Sequence, residues 1–244
     1  MAVPVGAIAV SARSLAPDLA RGAMLLLIAL ANAHLYLYER PVGVRGYPVP
    51  ESVRDQVVVL LQMTFVDGRA YPMFAFLFGY GIVQLWQRHT SKGVDEVAVR
   101  NLVRRRGRWM ILFGFLHALL LFSGDIIGAY GLLAVLLAGL LIRASDRKLL
   151  VMVGLWVVPT AVFGALTGLP VPDGAQSYLP SMSIADPLVA AMRRVGEWAA
   201  LTLTLLVILI PALLLGVWAA RRRMLDEPQR YRPLLRWVAV LGVG

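Results

Sequence analysis

The sequence contains no cysteine. Disulfide bridges, thiolate nucleophiles and cysteine-ligated metals are therefore excluded. Histidine is almost as scarce: His34, His89 and His117 are the only three, and their separations match no metal-ligand spacing. No HExxH, Walker-type or GxSxG pattern occurs, which removes the zinc-protease, P-loop and serine-hydrolase readings. Neither a metal nor a permanently bound cofactor is expected. Charge is sparse too, at 16% of the residues, against roughly 25% in soluble domains.

Apolar residues fill the space that charge leaves. They make up 59% of the 244 residues, and mean hydropathy is +0.72. One core of this length cannot bury that much, so an all-α, polytopic membrane bundle is expected, with the lipid bilayer as its main partner. The net charge of +10 would suggest nucleic acid in a soluble chain. Here the basic residues flank apolar runs, which is the positive-inside pattern, and no nucleic-acid partner is expected. The opening MAVPVGAIAVSAR has no basic start before an apolar core. No cleaved signal is expected, and the first membrane helix serves as anchor.

The stretch DGRAYPMFAFLFGYG, Asp67 to Gly81, organises the rest. A charged turn opens a run that is apolar to Trp86, just long enough to span at about 1.5 Å per residue. The other expected spans are residues 22–38, 109–122, 126–142, 149–169 and 198–220. Asp18 reads as the N-cap of the first. Residues 39–50 form a Pro- and Gly-bearing linker, 52–66 an amphipathic segment suited to the membrane surface, and 169–186 a loop rich in Pro, Gly and Ser. A last apolar run from Leu234 to Gly244 is about 11 residues long and too short to span. It reads as the start of a truncated seventh helix in a longer protein. The whole is one transmembrane domain with a six-helix core over 13–233. Bases crowd every second connection: Arg88 to Arg108, Arg143 to Lys148, and Arg221 to Arg236. The N-terminus is therefore placed in the cytoplasm; Arg193 and Arg194 are assigned to an interfacial helix before the sixth span.

This orientation puts several polar side chains in the outer half of the bilayer. Asn32 and His34 lie near the outer end of the first span, and Asp67 and Arg69 at the mouth of the second. His117 lies about 8 Å deep in the third. Asp125 sits in the turn Ser123-Gly124-Asp125, with Tyr130 just below. Intramembrane ionisable groups are functional candidates, so one shared pocket is expected. Each has a plainer reading. Asp125 is also a helix cap, Asp67 and Arg69 an interfacial ion pair, His117 a packed core histidine, and His34 a member of an aromatic belt with Tyr36 and Tyr38. Arg21 and Asn32 share a helix face about 16 Å apart, while His34 points nearly opposite Asn32. Arg104 to Arg108 read as a topology signal or as a contact for phosphates of a cytosolic donor.

The segments RGAMLLLIALAN, DGRAYPMFAFLFGYG, FGFLH, GDIIGAYGLL and LLLGVWAARRRML resemble the YeiB-like bacterial inner-membrane proteins, often described as transporters. Members of that family continue into further membrane helices. More distantly the chain is similar to transmembrane acyltransferases, among them the heparan-α-glucosaminide N-acetyltransferase group and the O-acetylating envelope enzymes. The latter carry a histidine eleven residues after the arginine of the Arg-Gly opening. Asn32 stands there, as asparagine does in the heparan-modifying group, with His34 two residues on. The resemblance implies an inner-membrane protein that moves an acyl group from a cytosolic thioester such as acyl-CoA to an extracytoplasmic acceptor. His117 or His34 is then the general base and Asp125 its orienting partner. Asn32 and Arg69 donate to acyl or acceptor oxygens, and Asp67, Tyr130 and Arg21 complete the substrate contacts. The alternatives are a transporter or flippase that uses the same pocket without making a bond, and a non-catalytic scaffold.

Overall fold

The computed structural model describes residues 15–37, 41–43, 46–167 and 179–243. Among them all regular structure is helical, apart from a single antiparallel bridge between Val42 and Pro48. The helices are α1 (Leu15–Ala33), α2 (Val53–Phe65), α3 (Ala70–Thr90), α4 (Glu96–Leu120), α5 (Ile127–Arg143), α6 (Asp146–Thr167), α7 (Pro187–Arg221) and α8 (Arg232–Val243). Three stretches are long and apolar enough to cross a membrane: Asp18–Tyr36, Asp146–Leu166 and Pro187–Arg221; Ile127–Arg143 is apolar but shorter.

Helices overrun the limits that hydropathy suggests, because charge marks where lipid ends and capping marks where a helix ends. The basic stretch after α3 is mostly helical. Asp95 caps α4, its carboxylate accepting from Val97 N at 2.9 Å, and Arg100 through Arg108 ride on that helix. Arg193 and Arg194 likewise lie within α7 itself, not on a separate interfacial helix. Asp18 sits in the first turn of α1, not at its cap, and holds Arg21 at 2.8 Å. The amphipathic segment forms α2 behind a Ser52–Asp55 capping box. None of its residues is buried, and Gln62 Nε2 ties it to the Leu30 carbonyl at 2.6 Å. Most of the Pro-, Gly- and Ser-rich loop, residues 168–178, lies outside the described residues, as does Tyr38.

Packing relies on missing side chains. α3 packs most extensively on α7, and α4 on α5. At the first crossing a Cβ on Gly79 would stand 3.1 Å from the Leu213 carbonyl carbon, and one on Gly216 3.0 Å from Phe76 Cα. At the second, a Cβ on Gly107 would stand 2.7 Å from the Gly131 oxygen and one on Gly114 2.8 Å from Gly128 Cα. Close backbone approach of this kind drives helix association where lipid removes the hydrophobic incentive. The outside fits the same solvent: Leu155 and Val158 of α6 are 70% and 65% exposed.

The end of the bundle where α5 and α7 finish is clasped by polar contacts. Arg221 donates to the Leu141, Ile142 and Ala144 carbonyls and to Asp146, closing the C-terminus of α5. A cation there also complements the helix dipole. Arg222 pairs with the same Asp146 at 2.6 Å and lies over the Trp218 ring. The turn beyond carries Asp226 to the Tyr80 hydroxyl at 2.7 Å and to Gln84 at 3.1 Å.

Candidate functional site

α4 ends where the His117 carbonyl accepts from both Leu121 N and Phe122 N. The chain turns through 121–126 and enters α5 antiparallel to α4. Asp125 stands at that entry with 1% of its side chain exposed. Its Oδ2 accepts from Gly128 N at 2.8 Å, a capping bond. Its Oδ1 lies 3.2 Å from His117 Nδ1. The ring N–H is not aimed along that line, so the pair is close without being a formed hydrogen bond. One carboxylate thus caps α5 and faces the histidine. Gly114 makes this possible: a side chain there would collide with Asp125 Oδ2 and with the backbone of Gly128. Gly114 and His117 share a helix face, three residues apart.

α7 closes the other side. Trp198 packs on Gly128 and meets Phe115 edge-on at 5.5 Å. Among the described residues its Nε1 has no hydrogen-bond partner, nor has Thr202 Oγ1 one turn along α7. Thr204, by contrast, satisfies its hydroxyl on the Ala200 carbonyl. Together with His117 Nδ1, these are buried polar atoms at one end of the bundle that form no hydrogen bond among the described residues. Beside Trp198, Glu197 accepts from Ser123 Oγ at 2.7 Å, Ser181 N at 2.9 Å and Ser181 Oγ at 2.5 Å. Arg193 approaches it at 3.8 Å, and Arg194 donates to the Leu119 carbonyl at the end of α4. Glu197 therefore pins the turn that carries Asp125.

A second network joins α1, α3 and α5. Tyr71 donates to Asn32 Oδ1 at 3.1 Å, Asn32 Nδ2 donates to the Ile28 carbonyl at 2.8 Å, and the buried Tyr130 hydroxyl donates to the Tyr71 carbonyl at 2.9 Å. Asp67 and Arg69 occupy the turn between α2 and α3, where Gly68 adopts φ 69°. Asp67 lies within electrostatic range of Tyr71. The two networks meet on α5, through Asp125 at its start and Tyr130 just inside.

Two candidates lie elsewhere. Arg21 reaches the Leu77 carbonyl at 3.2 Å across the side of α3 left open by Gly81. His34 stacks on Tyr47 with ring centroids 4.1 Å apart. Glu197, Ser123, Ser181, Tyr71, Trp198 and Gly114 belong to no sequence motif that points to the site. Glu197 carried a signal, since no other acidic residue occurs between Asp186 and Asp226. The half-exposed histidine beside a buried carboxylate is suited to proton transfer.

No protein-family model matches the chain, and no solved structure does. The chain is 30% identical over 210 residues to the uncharacterized protein YxaH of Bacillus subtilis strain 168, an alignment covering 74% of this chain and 50% of YxaH. The chain thus spans about half the length of that curated relative.

Proposed function

We propose that the chain is part of a YeiB-like, multi-pass protein of the bacterial inner membrane that transfers an acyl group from a cytosolic thioester to an extracytoplasmic acceptor. About six spans and a cytoplasmic N-terminus go with this reading. The observation that carries it is the His117–Asp125 pair, 3.2 Å apart at the outer end of α4 with the carboxylate buried. With Nδ1 within 3.2 Å of Asp125, Nε2 is left to take a proton from the acceptor hydroxyl or amine once the pair tightens. The acceptor oxygen or nitrogen bonds to the thioester carbonyl carbon, the carbon–sulfur bond breaks, and the departing thiolate receives the proton that His117 took. The Trp198 Nε1–H, beside Gly128 and without a hydrogen-bond partner among the described residues, would donate to the carbonyl oxygen as charge builds on it. Apo geometry of such pairs is commonly loose and tightens with substrate. Asn32 is engaged with Ile28 and Tyr71, so its part is to fix Tyr71 unless substrate replaces the Ile28 bond.

The test compares envelope glycans and lipids by mass spectrometry from cells expressing the full-length protein or its His117→Ala variant. Acyl-sized mass increments present only with the unmodified protein are expected. Identical mass profiles at equal expression would count against acyl transfer. A molecule relocated across the membrane at unchanged mass would point to the transporter alternative.

A further inference from the structure

The arginines of α4 stand at the wrong depth for a cytosolic loop. Glu96 of α4 pairs with Arg143 at the end of α5, Arg100 lies against Gly139, and Gly107 faces Gly131. This antiparallel register sets Arg104 to Arg108 beside the middle of α5. α7 passes Gly128 at Trp198 and the end of α5 at Arg221. Its Val207 is therefore level with that same middle, and it holds Trp156 and Thr160 of α6. The exposed apolar face of α6, with Leu155, Val158 and Val162, thus lies level with the arginines. Arg105, Arg106 and Arg108 are exposed and Arg104 is half-buried. Among the described residues none of these four guanidinium groups has a hydrogen-bond or ion-pair partner, whereas Arg21, Arg143, Arg221, Arg222 and Arg223 are all paired. An unpaired charge at the bilayer centre is costly, and such residues face protein or water.

We infer that this face of α4 lines a water-filled recess at membrane depth, open to the cytosol, that binds a phosphate-bearing anion. Arginine forks match phosphate oxygens in pairs, and a recess of low dielectric strengthens each contact. The inference rests on the membrane orientation proposed above, and its test reads accessibility and anion binding, not acyl transfer. These 244 residues hold no cysteine, and any beyond them are first replaced by serine, so that single replacements report cleanly. Arg105→Cys, Arg106→Cys and Arg108→Cys, made in the full-length protein, are exposed to a membrane-impermeant maleimide from the cytosolic side, with Leu155→Cys as the lipid-facing control. Labelling of the α4 positions but not of Leu155→Cys is expected, slowed at least threefold by an anion. Slowing by inorganic tripolyphosphate in phosphatidylcholine nanodiscs identifies a soluble phosphate source. Slowing only in phosphatidylglycerol nanodiscs identifies a lipid headgroup. No labelling at α4, together with quenching of an attached fluorophore by chain-labelled lipid, overturns the recess. Labelling that neither anion slows overturns the binding.

Discussion

Asp125 does two jobs with two oxygens, and substitution separates them. Asparagine also caps well, so Asp125→Asn is expected to leave thermal melting nearly unchanged. It removes the negative charge from beside His117, and acyl transfer should fall by roughly 10²-fold or more, the usual scale for a positioned acid–base group. Activity close to that of the unmodified protein would leave Asp125 as a cap alone. Trp198→Phe keeps the ring against Gly128 and removes only the N–H. A loss of about 10²-fold in turnover with unaltered melting is expected, as for other donors to a developing oxyanion. The tight placement of Asp125 rests on Glu197, which accepts from three donors on Ser123 and Ser181. Glu197→Ala orphans them at about 1–3 kcal/mol per buried group, and the Ser181 amide should exchange with deuterium far faster. An unchanged exchange rate would remove Glu197 from this role.

At the level of helices, glycine decides which pairs touch. Gly216→Ala drives a methyl against the Phe76 backbone, 3.0 Å from its Cα. Destabilisation of about 1–3 kcal/mol is expected from overpacking. Gly154→Ala on α6 meets nothing within 4 Å and should instead stabilise by about 0.5–1 kcal/mol through helix propensity. Chemical denaturation in detergent measures both, and equal effects would contradict the α3–α7 crossing. Amphipathic α2 has no such contact. It buries no residue and reaches α1 through the Gln62–Leu30 bond, so it belongs to the part of the fold that opens most readily.

For the whole molecule, the proposed orientation rests on the alternation of basic and neutral connections. Ala185→Cys, exposed just before α7, is expected to react with an impermeant maleimide on intact cells, and Ser91→Cys, exposed after α3, only after permeabilisation. Reaction at Ser91→Cys on intact cells would invert the orientation and with it the depth of His117. Ser123 is unsuited as a reporter, since it is buried against Glu197.

Composition and hydropathy alone determined the helical class and the apolar stretches over α1, α6 and α7, because lipid acts on each segment separately. The turn at Ser123-Gly124-Asp125 was legible for the same reason: Gly and a capping residue act within a few positions of chain. Helix limits were less legible. The start of α4 at Glu96 follows from a cap, not from polarity, so basic residues read as a loop are helical and lie beside the apolar middle of α5. The three-way bond of Glu197 to Ser123 and Ser181, and the bridge from Asn32 through Tyr71 to Tyr130, join residues far apart in sequence. No local pattern encodes such partners. They were decided by the glycine contacts that bring α4 onto α5 and α3 onto α7, because only close backbone approach brings these short polar side chains within reach of one another.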